Sequence, residues 1–175
     1  KHKTPRVLII AGSDSSGGAG IQADIKTLTV FKVFSMTAIT AVTAQNTNGV
    51  SSVESVSLDL IKKQIEDCIS DIGVDAIKIG MVNKGEIFDL IFEAIKKYEI
   101  FKKGIPIILD PVMFAKGGFP LLENQAISAL KGSPWAKRTR AIQRRASGII
   151  GALLHTASTS LRALGSRALE MLLLS

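Results

Sequence analysis

Four times within the first 131 residues, a short apolar run gives way to a stretch whose apolar residues recur every three or four positions. Runs of the first kind read as buried strands, and stretches of the second kind as amphipathic helices. Val7–Ala11 is the first run. After a loop from Gly12 to Gly20, Ile21, Ile25, Leu28 and Phe31 supply the first helical stripe. Ala38–Ala44, rich in Ile, Val and Thr, is the second strand, and Asn48-Gly49 turns the chain into a further extended piece, Val50–Val56. Ser57 is placed to cap a helix carrying Leu58, Ile61, Ile65, Ile69 and Ile72 on one face. Ala76–Ile79 follows as a strand. Asn83 and Glu86 then have capping-box spacing ahead of Ile87, Phe88, Ile91, Phe92 and Ile95. Pro106–Leu109 is the last strand, and Glu123–Lys131 a short helix.

Alternation of this kind builds βαβ units. It predicts an α/β fold with a doubly wound, mainly parallel sheet covered by helices on both faces. In such sheets ligands collect at the carboxyl ends of the strands. Here those ends are Gly12-Ser13-Asp14, Gln45-Asn46, Gly80-Met81 and Asp110-Pro111-Val112.

Composition removes several classes. An apolar share of 46% excludes a disordered chain, and a single cysteine, Cys68, excludes a disulfide scaffold. Cys68 itself reads as a small core residue. No apolar run reaches the roughly 18–20 residues of a membrane-spanning helix, and the opening Lys1–Arg6 segment lacks the longer apolar stretch of a signal peptide. The expectation is a cytoplasmic protein and, with no initiator Met, a trimmed or partial chain. The net charge of +7 is unevenly spread: residues 1–132 hold 15 Lys and Arg against 14 Asp and Glu, whereas residues 133–175 hold 7 against 1. A nucleic-acid partner is not implied, because the body of the chain is nearly neutral. The tail has its own texture. It is rich in Ala, Arg, Leu and Ser, and Leu161, Leu164, Ala168 and Leu172 could line a basic amphipathic helix suited to an acidic surface. The alternative is a helical or disordered segment outside the fold. Two domains of description follow: 1–132 and a basic tail, 133–175.

Individual residues leave alternatives open. The Gly12–Gly20 loop fits neither the Walker spacing nor the dinucleotide one; it is either a strand-to-helix connector or a loop whose backbone closely approaches a small ligand. Asp24, one turn into the first helix, could accept hydrogen bonds from a ligand amine or hydroxyl, or face solvent. Gln45 and Asn46 could read the polar edge of a heterocycle or serve the turn that follows. Asp110 could hold a metal ion or orient water near phosphates, or simply start the turn at Pro111. His2 is terminal and His155 lies in the tail, so no His-based catalytic pair is visible, and no metal-ligand cluster either.

Ile10–Asp24, Thr43-Ala44-Gln45-Asn46-Thr47, Lys78-Ile79-Gly80-Met81 and Leu109-Asp110-Pro111-Val112-Met113 together resemble the hydroxymethylpyrimidine/phosphomethylpyrimidine kinase family of thiamine biosynthesis, within the ribokinase-like superfamily. The resemblance runs from residue 6 to about 132, roughly the first half of a family member. It implies ATP-dependent phosphorylation of the pyrimidine's hydroxymethyl group and then of the monophosphate, with ATP and Mg²⁺ as cofactors. It further implies that Gly12, Asp24, Gln45, Met81 and Val112 surround the pyrimidine and that Asp110 sits near the phosphates and Mg²⁺. Its partner is a small molecule, with neither nucleic acid nor membrane; a homo-oligomer is left open. The family's later Thr-Pro-Asn segment and Gly-Thr-Gly-Cys or Gly-Thr-Gly-Asp loop do not occur here, and the chain beyond residue 132 resembles an out-of-frame or rearranged reading. No catalytic residue is therefore assigned, and a C-terminally truncated, catalytically impaired kinase is expected. The alternatives are a pyridoxine or pyridoxal kinase and a non-catalytic pyrimidine-binding remnant.

Overall fold

In the computed structural model the described residues are 4–110. Arg6–Asp14 forms β1, a strand buried along nearly its whole length because both of its faces are covered. Successive side chains point to opposite faces, so Leu8 and Ile10 join one core while Val7, Ile9 and Ala11 join another. The remaining elements are α1 (Gly20–Val30), β2 (Phe34–Asn46), β3 (Gly49–Ser55), α2 (Leu58–Asp67), β4 (Ala76–Ile79), α3 (Gly85–Lys97) and β5 (Ile107–Leu109). The five strands are ordered β3-β2-β1-β4-β5. β1 pairs in parallel with both β2 and β4, and β4 with β5.

One core holds Leu8, Ile10, Ile77 and Ile79 from the sheet with Ile61 and Ile65 of α2 and Ile87, Ile91 and Ile95 of α3. Ile21 and Leu28 of α1 pack the opposite face against Val7 and Ile9. The doubly wound reading thus matches the observed sheet. The crossover through α1 leaves β1 toward β2, whereas the one through α2 returns to β4 on the other side. That reversal opens a crevice at the carboxyl end of β1, where such sheets bind their ligands.

Three local expectations change. The extended piece after Asn48-Gly49 is a full antiparallel partner of β2, with Asn46 opposite Gly49. The Asn46 side chain builds the turn, its Oδ1 accepting from the amides of Asn48 at 2.9 Å and Gly49 at 3.3 Å. The Asn83–Glu86 capping box does not form. Lys84 is the N-cap of α3, and Asn83 instead donates to Ser55 Oγ at 2.7 Å, a contact between distant segments that outweighs the local one. The stripe ends are also less buried than their spacing suggests: Phe31 caps α1 at 56% exposure, and Leu58 and Ile72 lie at the rim. Ser57 does cap α2, accepting from the Leu60 amide at 3.3 Å, and a single π-helical turn, Cys68–Ile72, extends that helix. Cys68 is half-buried against the larger core, and burial pushes its thiol up. No helix among the described residues is long and apolar enough to cross a membrane. The Glu123–Lys131 helix and the 133–175 tail lie outside the described residues.

Candidate active site

The carboxyl ends of β1, β2, β4 and β5 are tied to one another by side chains that local pattern alone does not single out. At β1, Gly12 is buried, and a Cβ there would meet Met81 Cε at 2.5 Å. A side chain at this position would have to displace the flexible end of Met81. Met81 is held from the other side, since Thr40 donates its hydroxyl to the Met81 carbonyl at 2.8 Å. Gly12 and Met81, two of the residues read from sequence, are therefore in direct contact.

The glycine-rich loop is built around Asp14. The Asp14 carboxylate accepts from the amides of Ser16 at 2.8 Å, Gly18 at 3.1 Å and Ala19 at 2.8 Å, and from the Ser16 hydroxyl at 2.8 Å. The Gly17 amide donates to the Asp14 carbonyl at 3.0 Å. Four consecutive amides, 16 to 19, are thus committed to one residue. The loop in this form is organised by its own carboxylate rather than as an open cradle for phosphate. Gln22 secures its base, accepting from the Asp14 amide at 2.8 Å and donating to Ser13 Oγ at 2.7 Å.

Gln45 is joined to the same loop through its backbone. Ser15 Oγ accepts from the Gln45 amide and donates to the Gln45 carbonyl, both at 2.8 Å. Thr43 donates to the Ser13 carbonyl at 3.0 Å, with Gln45 Oε1 3.4 Å from the same hydroxyl. The side-chain amide of Gln45 is half-buried. It keeps donor and acceptor capacity for a ligand, because its Nε2 is a two-hydrogen donor.

Beneath these strand ends lies a buried charge cluster. Lys78 Nζ donates to Asp24 Oδ1 at 2.7 Å and Oδ2 at 2.6 Å, and lies 3.7 Å from Asp110 Oδ2. Side-chain exposure is 6% for Lys78, 2% for Asp24 and 4% for Asp110. Asp24 therefore does not face solvent. Burial pushes its carboxyl up, against the pull of Lys78. Asp110 is driven up to about 6, chiefly by burial, with Lys78 pulling it down and the Asp24 charge pushing it up. One ammonium serves two carboxylates, and the more distant carboxylate holds its proton longer.

Because Asp110 binds its proton more tightly folded than unfolded, where its ordinary value is 3.8, the chain loses stability as pH rises from about 4 to about 6. The loss is complete above that range. Roughly two pH units correspond to on the order of 3 kcal/mol. Asp110→Asn is expected to flatten much of this slope, measured as urea midpoints at pH 4.5 and 7.5. An unchanged slope would show that Asp110 titrates at its ordinary value.

Of the residues read from sequence, Gly12, Asp24, Gln45, Met81 and Asp110 lie at or just beneath the strand ends, and Val112 lies outside the described residues. Lys78, Thr40 and Ser15 are not singled out by the sequence pattern, and Asp14 is marked there only as a strand end. Lys78 did carry a signal: a lysine between Ile77 and Ile79 in a four-residue apolar strand demands a buried partner. Among the described residues no group of three or more His, Cys, Asp or Glu is placed to hold a metal ion.

A family profile described as phosphomethylpyrimidine kinase matches residues 14–137. This chain belongs to that family. Over 125 residues it is 49% identical to the hydroxymethylpyrimidine/phosphomethylpyrimidine kinase of Haemophilus influenzae, covering 71% of this chain and 45% of the relative. Over 129 residues it is 41% identical to the Escherichia coli protein of the same description, covering 74% and 47%. The chain spans about half the length of the curated relatives it matches. Among solved structures, phosphomethylpyrimidine kinase from Clostridium difficile superimposes with a TM-score of 0.65 at 38% identity, covering 92% of this chain and 71% of that one. Pyridoxal kinase from Staphylococcus aureus in complex with AMP-PCP gives 0.63 at 34%, covering 78% and 48%. The fold is that of the ribokinase-like kinases.

Proposed function

We propose that residues 4–110 form the pyrimidine-holding half of a hydroxymethylpyrimidine/phosphomethylpyrimidine kinase, an ATP-dependent phosphotransferase of thiamine biosynthesis. The observation that carries this reading is the convergence of Gly12, Met81 and Gln45 on the crevice at the β1 carboxyl end, in a chain 41–49% identical to kinases of that description. In this reading Gly12 and Met81 form an apolar, closely packed wall for a flat ring. Gln45 reads the ring's polar edge and Asp24 accepts a hydrogen bond from a ligand donor; the family resemblance assigns Val112 to the same subsite. Phosphoryl transfer requires positioning and charge neutralisation more than covalent chemistry from the protein.

ATP as phosphoryl donor is supported by the similar pyridoxal kinase solved with AMP-PCP. Amides 16–19 are engaged by Asp14, so the described residues contribute the acceptor side of the reaction and not a phosphate cradle. Nor do they fit Mg²⁺ on their own. The carboxylates of Asp24 and Asp110 already share the Lys78 ammonium. Use of ATP supports a cytoplasmic protein within this reading.

The test is a thermal melt of the 175-residue chain with hydroxymethylpyrimidine and, separately, with pyridoxal. Hydroxymethylpyrimidine at 100 times its Kd is expected to add about 2.7 kcal/mol to the folded state. A cooperative transition that ignores it, or that responds to pyridoxal alone, would overturn the assignment. Gln45→Ala is expected to weaken pyrimidine binding by about 1–3 kcal/mol, the consequence of leaving polar ligand atoms unpaired. Calorimetric titration reads this directly, and an unchanged affinity would move the polar contact away from Gln45.

A further inference from the structure

Lys78 is the group on which two residues of the proposed site converge, from α1 and from the end of β5. It sits on the sheet face that α1 covers, alongside Ala76 and Ile108. An ion pair is not needed to fill such a face, because apolar residues of similar volume pack it with equal or greater stability. Retaining three buried charges there calls for a role besides packing.

The position of the ammonium suggests one. A Cβ on Gly80 would lie 3.7 Å from Lys78 Nζ and 2.9 Å from Ala11 Cβ. The lysine head thus lies near Gly80, the residue before Met81, and Met81 in turn lies close to Gly12. Lys78 lies immediately under the ring wall. It also engages both oxygens of Asp24, at 2.7 and 2.6 Å, which fixes the plane of that carboxylate. A carboxylate has about four acceptor positions. Two are taken by Lys78, and no other hydrogen bond among the described residues takes the rest.

We propose that Lys78 is a positioning residue of the pyrimidine subsite, fixing the Asp24 carboxylate so that it accepts from an amine or hydroxyl of the bound ring. The inference rests on the functional reading given above and extends it to a residue that does not itself touch the ligand. Its consequence is coupling: Lys78 matters to binding only while Asp24 is there to be positioned.

A double-substitution cycle tests this on the full chain, with hydroxymethylpyrimidine as the probe and affinity read by calorimetry. Lys78→Met and Asp24→Asn are each expected to weaken binding about tenfold or more. The combined K78M/D24N chain, whose neutral pair relieves the unpaired charge, is expected to bind within about threefold of D24N alone. If K78M does not fold, Lys78→Gln takes its place in the cycle. A merely structural lysine would act equally with or without Asp24, so losses that multiply in the combined chain would overturn the proposal. So would unchanged affinity in the Lys78 single variant. Failure of the functional reading looks different: the unsubstituted chain melts cooperatively but does not bind the probe, and the positioning role is then overturned with it.

Discussion

Lys78→Met is expected to destabilise the chain by about 3–5 kcal/mol, the range for removing one partner of a buried ion pair. Total stability of a domain is commonly only about 5–15 kcal/mol, so this single change removes a large fraction of it. The cause is not the lost attraction alone. Without the ammonium, Asp24 and Asp110 face each other in a site where both are almost completely buried. Two carboxylates so placed cannot both ionise at little cost, and each holds its proton to higher pH. The folded chain then binds more protons than the unfolded one, so the defect deepens as pH rises through the carboxylate range and eases on acidification. Urea unfolding of both chains at pH 5 and pH 8 checks this. Equal midpoints at pH 8 would mean that water reaches the cluster and that the close Lys78–Asp24 contact does not persist in solution.

Gly20→Ala is expected to cost about 3 kcal/mol or more, and to weaken ligand binding as well. Gly20 opens α1 at a φ of +57°, a left-handed conformation that costs an L side chain roughly 1–2 kcal/mol. The larger penalty is steric. A Cβ there would press into the Gly12 carbonyl oxygen and lie 3.3 Å from the Asp14 nitrogen. Both are backbone atoms that cannot rotate aside, and Gly12 is the residue packed against Met81. Gly17→Ala supplies the comparison. Its φ is similar, +73°, but the atom met first is Lys26 Nζ at 3.0 Å, the end of a flexible side chain. About 1 kcal/mol is expected there. Urea midpoints of the two variants decide the matter: equal losses would show that the loop shifts to accommodate the extra methyl at Gly20.

How far the sequence reaches can be followed residue by residue. Val7–Ala11 and Ala76–Ile79 are legible as strands because both are short, mainly apolar runs bounded by residues that break pattern, the composition typical of a strand covered on both faces. Ser57 is legible as a cap because its hydroxyl acts on an amide three residues away. Asn83 shows the limit of that kind of reasoning. Its spacing to Glu86 is that of a cap, yet Ser55, 28 residues earlier, takes its side chain once β3 has been laid antiparallel to β2. Asp14 shows it again. Nothing in the spacing of the loop glycines announces that one carboxylate gathers the amides of residues 16, 18 and 19.

The sequence by itself determined the alternation of strand and helix, the burial of both faces of the central strands, and the four strand ends at which a ligand can sit. Each of these depends on period and composition within a few neighbouring residues. Only the tertiary structure decided that Asp24, Lys78 and Asp110 share one buried site. Asp24 and Lys78 are 54 residues apart, and they meet because the crossovers place β4 beside β1 with α1 over the face from which Lys78 projects. In a low-dielectric interior a lysine must find a carboxylate wherever the topology brings one, and that choice is made by the order of the strands.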